Sequence, residues 1–191
     1  MSRKITVTIE RCMGCHTCEL ACAIAHSQTK DIERMVLAGE RPGYRIHVEA
    51  YGPRSIPISC QHCEEAACVL ACPTGAVRRL APGKPVLVDE ERCIGCSMCV
   101  QACPFGVMAM SPTGKSAFKC DLCVSRLAQG MQPACVSSCP TRALHLEEEG
   151  TANREKRKLA VARLAEAQAA GEQVAQAQQK VAQTQEPLAG G

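Results

Sequence analysis

The sequence predicts an α+β fold in two pseudo-symmetric lobes, with a surface hairpin insertion and a C-terminal helical tail. Three observations predict it. Sixteen cysteines fall into four groups of recurring spacing, short alternating segments separate the groups, and no cysteine follows residue 139. The groups are Cys12, Cys15, Cys18 and Cys22; Cys60, Cys63, Cys68 and Cys72; Cys93, Cys96, Cys99 and Cys103; and Cys120, Cys123, Cys135 and Cys139.

Composition explains why such a fold needs an inorganic core. The chain of 191 residues has no Trp, two Tyr and two Phe, so the large side chains that fill a core are scarce. Cysteine makes up about 8% of it, a share that calls for disulfides or metal. Three thiolates within seven residues reach three corners of one cubane, and the fourth, a helical turn on, faces a neighbouring one. Residues 93–104 match the C-x2-C-x2-C-x3-C-P signature of [4Fe-4S] binding letter by letter. Zinc is the competing reading, but zinc motifs usually set two C-x2-C pairs apart by a longer finger. Sixteen ligands suit four [4Fe-4S] clusters, and folding and cluster insertion are expected to be one event.

The elements follow in order. Residues 5–10 alternate and read as a strand entering the first group. A short helical turn over residues 23–26 is expected after Cys22. Residues 27–43 are polar and end in Arg41-Pro42-Gly43, a turn signal. Residues 45–51 and 55–59 then form a hairpin, read as a surface insertion. Residues 75–80 and 85–89 flank the Pro82-Gly83 turn, and residues 106–110 and 116–119 repeat that arrangement around residues 112–114. Residues 143–146 form the last strand and pair with residues 5–9. Pro73, Pro104 and Pro140 each follow a fourth cysteine and fix the backbone there, while the first group has Ala23 instead. The resulting division is a four-cluster domain over residues 1–147 and a tail over 148–191. Within the domain the inner lobe spans about 57–112, the outer lobe 1–26 plus 113–147, and the insertion 27–56. The tail reads as an Ala/Gln-rich helix capped by Thr151 or Asn153, running to about Gln185 and stopped at Glu186-Pro187. Leu159, Leu164, Ala167, Val174 and Val181 form a thin stripe on it, which suits a solvated helix or one laid on a partner subunit.

Exchange of the fourth cysteine between paired groups assigns the ligands. Cluster 1 takes Cys12, Cys15, Cys18 and Cys139; cluster 2 takes Cys60, Cys63, Cys68 and Cys103; cluster 3 takes Cys93, Cys96, Cys99 and Cys72; cluster 4 takes Cys120, Cys123, Cys135 and Cys22. The stretch between Cys123 and Cys135 has room for a short loop or helical turn. Gly14 and Gly95 leave room for backbone amides to point at sulfide. His16 and His62 adjoin ligands and are placed to influence potential, His26 is read as packing, and Met98, Met108, Met110 and Met131 as filling gaps around the clusters.

Several functions are excluded. The formal net charge of +3 treats every cysteine as neutral. Sixteen thiolates around four oxidised cores bring the loaded protein to about −5, which disfavours nucleic acid. No glycine-rich nucleotide loop, nucleophile elbow or acid–base pair is present, so no catalytic residue is assigned and the chain is not expected to be an enzyme by itself. No run of 18 apolar residues spans a bilayer and no export signal is seen, which points to the cytoplasm.

The order of the four groups resembles that of the four-cluster ferredoxin-type electron-transfer subunits of dimethyl sulfoxide reductase, formate dehydrogenase and formate hydrogenlyase, over residues 5–147. Residues 10–27, ERCMGCHTCELACAIAHS, most resemble the iron–sulfur partner protein of nickel-containing carbon monoxide dehydrogenase. The resemblance implies two bacterial-type 2[4Fe-4S] ferredoxin-like lobes. It also implies single electrons relayed from carbon monoxide dehydrogenase to a second acceptor such as a membrane-bound hydrogenase, at the inner face of the membrane through that partner. A formate dehydrogenase or other molybdenum or tungsten oxidoreductase is the alternative donor, in keeping with anaerobic metabolism. A purely structural iron–sulfur scaffold joining larger subunits is the alternative of another class.

Overall fold

The computed structural model describes residues 3–148, 157, 158, 160–162 and 165–171. The chain divides into two compact units, residues 1–149 and 150–191.

Four two-stranded antiparallel sheets and six helices make up the described part of the first unit. Strand β1 (Arg3–Val7) pairs with β8 (Leu144–Glu148), so the two ends of the cysteine-bearing region meet. The register explains the pairing. Ile5 faces Leu146 and Val7 faces Leu144, while Lys4 and Arg3 lie opposite Glu147 and Glu148. The strand is shorter than the alternation predicts, because residues Ile9–Arg11 close into a 3-10 turn that leads into Cys12.

Helix α1 (Thr17–His26) starts earlier than the turn expected at 23–26 and carries both Cys18 and Cys22. Three of the other cysteine-bearing helices are shorter: α3 (Ala67–Leu70), α4 (Met98–Ala102) and α6 (Ala134–Ser137). Each of these ends at a Cys-Pro pair, where the missing N–H and fixed φ of proline stop the helix. Ala23 permits continuation, which is the physical content of that departure.

The polar stretch 27–43 contains a helix the sequence reading lacks, α2 (Ile32–Leu37), capped by Asp31, whose carboxylate accepts from Arg34 N–H at 2.9 Å. The hairpin β2 (Ile46–Tyr51) and β3 (Arg54–Ser59) forms as expected, but only its tip is at the surface. Its base is core. Ile46 is 2% exposed, Pro57 and Ser59 are buried, and Glu19 of α1 accepts from Val48 N–H at 2.6 Å. Hairpins β4 (Val77–Arg79)–β5 (Val86–Val88) and β6 (Ala109–Met110)–β7 (Ala117–Phe118) lie where alternation places them. Between Cys123 and Cys135 sits α5 (Val124–Ala128) followed by a turn.

Two buried clusters organise this unit. One gathers Ile5, Ile46, Val107, Leu122 and Leu144 around Cys18, Cys22, Cys60, Cys120 and Cys135. The other gathers Ala66, Val77, Val86, Met108 and Ala117 around Cys99, with Cys63, Cys68, Cys72, Cys93 and Cys103 packed against it. Met108 and Met110 fill gaps as expected. Met98 and Met131 do not, since both project to solvent at 48% and 39% exposure.

In the second unit the described residues are helical and exposed. The expected caps Thr151 and Asn153, the stripe residues Leu159, Leu164, Val174 and Val181, and the stop at Glu186-Pro187 lie outside the described residues.

Candidate metal centres

Each cysteine group uses the same local device. Two cysteines sit on a loop, a residue at positive φ turns the chain, and the third cysteine enters the next helix, except in the fourth group, where α5 intervenes before Cys135 enters α6. Gly14 and His16 (φ 70° and 56°) serve the first group and Gly95 and Ser97 (72° and 60°) the third. His62 (48°) serves the second, and Leu122 and Cys123 (58° and 48°) the fourth. The two glycines are also tightly seated. A Cβ on Gly95 would lie 2.6 Å from the carbonyl oxygen of Gly114, and one on Gly14 2.6 Å from Ser55 Oγ.

The groups are interleaved in space. Cys12, Cys15 and Cys18 line one cavity together with Cys139, and Cys60, Cys63 and Cys68 line another together with Cys103. Charge neighbours trace the remaining sulfurs. Burial pushes the Cys99 thiol up, and Cys93, Cys72 and Cys96 add to it. Burial likewise pushes up Cys135, followed by Cys120, Cys22 and Cys123. All sixteen cysteines are free.

The donor chemistry fits [4Fe-4S] clusters. The cavity walls bring four soft sulfurs together, and burial makes the protein alone a poor host for their charge, as the upward push on Cys18, Cys68, Cys120 and Cys123 shows. A bound cationic core reverses that balance. Backbone amides are aimed at the same sulfurs. Arg45 N–H donates to Cys22 Sγ at 3.3 Å, Val77 to Cys72 at 3.4 Å, Ala117 to Cys93 at 3.4 Å and Ala143 to Cys139 at 3.2 Å. His62 and Leu122 occupy matching places in the second and fourth groups, donating to Cys60 and Cys120 at 3.4 and 3.5 Å. Such bonds stabilise thiolate and set cluster potential.

His26 is more than packing. Its Nδ1–H donates to the Cys22 carbonyl at 2.7 Å and its Nε2–H to Asp121 at 3.2 Å, so both nitrogens face acceptors and the ring is an imidazolium. Burial opposes the charge, but the bond to Asp121 raises the pKa to about 9. Burial likewise opposes the Asp121 carboxylate, and the His26 bond and the charge of Arg45, 3.0 Å away, bring it down to about 2. The triad His26, Asp121 and Arg45 thereby ties α1 and the residue leading into β2 to the fourth group. His16 is exposed and pairs with Glu19 at 2.8 Å. His62 is buried; burial, then the charges of Lys119 and Arg79, hold its imidazole down at about 3.

Sequence reasoning missed Lys119, Arg79 and Asp121. Arg79 donates to the carbonyls of His62 and Cys63 and holds the second group's loop against β4. Lys119 is 3% exposed and donates to the carbonyls of Val86 and Cys120. The signal available was a charged residue wedged between Phe118, at the end of an alternating segment, and a ligand.

Comparison with known proteins bears on this chemistry directly. Residues 54–149 match the 4Fe-4S dicluster domain and residues 9–27 a 4Fe-4S binding domain. The chain is 41% identical to "Iron-sulfur protein" of Rhodospirillum rubrum, over 72% of this chain and 77% of that one. It is 43% identical to the thiosulfate reductase electron transfer subunit PhsB of Salmonella typhi, over 71% of this chain and 70% of that one. It is 44% identical to the putative oxidoreductase UacF of Escherichia coli over 78% of this chain, which spans only 22% of UacF. Among the described residues no helix is long and apolar enough to cross a membrane. The chain belongs to the 4Fe-4S dicluster family of ferredoxin-type proteins and has four [4Fe-4S] clusters as its cofactors.

Proposed function

We propose that this chain is the electron-relay subunit of a larger redox enzyme of the molybdenum or tungsten kind. The thiosulfate reductase electron transfer subunit among its relatives supports that partner. The proposed ligand sets are Cys12, Cys15, Cys18 and Cys139; Cys60, Cys63, Cys68 and Cys103; Cys93, Cys96, Cys99 and Cys72; and Cys120, Cys123, Cys135 and Cys22. The observation that carries the reading is the interleaving itself, in which Cys139 and Cys103 close cavities begun by the first and second groups. Sharing of this kind supports an outer lobe of residues 1–26 and 113–147 and an inner lobe of 57–112. When bound, the four clusters supply one-electron redox chemistry. The protein's own work is to hold thiolates, aim amides at them and shield them from water.

Carbon monoxide dehydrogenase is the second partner reading, favoured by the resemblance over residues 10–27, with a membrane-bound hydrogenase as acceptor. Under either reading the working location is the cytoplasm, at the inner membrane face through a partner. Copurification from native cells, followed by metal analysis of the large partner, separates them. Molybdenum or tungsten supports the first, and nickel with iron supports the second. A purely structural scaffold is tested by redox cycling, since a relay accepts and donates electrons rapidly and a scaffold does not.

A further inference from the structure

Lys119 is an anomaly by the electrostatics of interiors. An ammonium taken out of water costs several kcal/mol unless an anion balances it. Lys119 is 3% exposed, and among the described residues no carboxylate lies within ion-pair distance of it. Its two oxygen partners are neutral carbonyls, Val86 O and Cys120 O. Asp121, next along the chain, is committed to His26 and Arg45.

The other groups around it offer no compensation. His62 accepts from Val86 N–H at Nδ1 (3.1 Å), so its proton is on Nε2 and the ring is neutral. Arg79 adds a second positive charge, which it spends on backbone carbonyls. What Lys119 does face is the cavity lined by Cys60, Cys63, Cys68 and Cys103.

We propose that Lys119 is the buried counter-charge of the cluster held by Cys60, Cys63, Cys68 and Cys103, and that it raises the reduction potential of that cluster above the value its ligands alone would give. This rests on the ligand set proposed above. Four thiolates around an oxidised core carry a net charge of about −2, and one electron taken from a reductant, with no bond made or broken, brings it to about −3. A fixed cation beside the site favours the more negative form, so Lys119 favours the reduced state. Near Cys22 the half-buried cations His26 and Arg45 share the carboxylate of Asp121, whereas Lys119 has no carboxylate partner among the described residues.

The test is an EPR-monitored redox titration of the full chain under argon, with iron content measured on the same samples. The wild type, Lys119→Met, Lys119→Gln and Lys119→Arg are compared, and Cys68→Ser identifies the signal of the cluster concerned. In Lys119→Met and Lys119→Gln the oxidised-to-reduced ratio of that one signal at fixed potential is expected to rise tenfold or more, a fall in midpoint of about 59 mV per tenfold. Lys119→Arg is expected to keep the wild-type midpoint within a factor of three in that ratio. Should the neutral variants lose four iron atoms instead, retention of all iron by Lys119→Arg supports the counter-charge. Unchanged midpoints in every variant, or equal loss of iron in all three, overturns it. A wild-type chain holding about sixteen iron atoms with those results sinks this inference alone, whereas one holding far fewer sinks the cluster reading beneath it.

Discussion

The first and third cysteine groups share a spacing and a backbone, yet they build different things. Both turn through a glycine near φ 70° and a second residue near 60° before their helix begins. Helix α4 then stops after five residues at Cys103-Pro104, whereas α1 runs for ten, through Cys22 to His26. The extra turn delivers His26 to Asp121 and turns a ligand loop into a strut between distant parts of the chain. The difference teaches that a proline after the fourth cysteine bars the helix from running on, whereas alanine there permits it, and that the reach across the molecule needs an acceptor such as Asp121 at the far end.

The hardest way to break the comparison is to make the first group like the third. Ala23→Pro removes an N–H inside α1 and sets the proline ring against the preceding turn, at a cost of about 3 kcal/mol or more. It also detaches His26. We expect denaturant unfolding under argon to show that loss, together with reduced iron content. Full stability in this variant would mean that α1 beyond Cys22 contributes nothing.

The glycines sharpen the comparison at the loop. Gly95→Ala meets a backbone carbonyl, Gly114 O, that cannot rotate away, whereas Gly14→Ala meets the hydroxyl of Ser55, which can. Both variants bear the cost of positive φ, about 1–2 kcal/mol. The Gly95 variant is expected to lose about 1 kcal/mol more, for the clash. Thermal unfolding of the two loaded variants side by side checks the order, and equal losses would show that φ alone governs both positions.

Legibility followed range. The sixteen cysteines, the β4–β5 and β6–β7 hairpins and the β1–β8 pairing were readable because spacing, alternation and turn residues act over a few positions. Helix α2 was not, since six residues with only Met35 buried leave no periodic stripe to detect. Nor was the buried base of β2–β3, because the partners of Ile46 and Val48 come from the core around Cys22 and from Glu19 on α1. Lys119 and Asp121 were invisible for the same reason. A charged residue reads as solvated until the fold places it, and their partners lie on β5 and on α1.

The strut should respond to pH where the plain loop does not. His26 has its pKa raised from 6.5 to about 9, so its contribution is whole below 6.5 and fades as pH rises through about 9. Asp121 has its pKa lowered from 3.8 to about 2, so its contribution is whole above 3.8 and is lost as pH falls through about 2. Hydrogen exchange of α1 amides in the loaded protein is expected to quicken between pH 7 and 9 relative to α4 once intrinsic exchange is corrected. In His26→Gln that difference should vanish, and its persistence would place the titrating group elsewhere.

The smallest expected effect comes from making the third group like the first. Pro104→Ala removes the residue that ends α4, but the turn beyond it is fixed by a second device. Gly106 holds φ 62°, and its N–H bonds back to Cys103 O at 3.3 Å, a geometry a continuing helix cannot share. The helix therefore should not lengthen, and the main change is a freer unfolded chain, costing about 0.4–1 kcal/mol. Far-UV circular dichroism unchanged beside a slightly lower unfolding midpoint is the expected pair of results. A gain of helix signal would show that proline alone sets the boundary. Absence of proline allows α1 to run on; its removal elsewhere does not build a strut, because no acceptor waits at the far end.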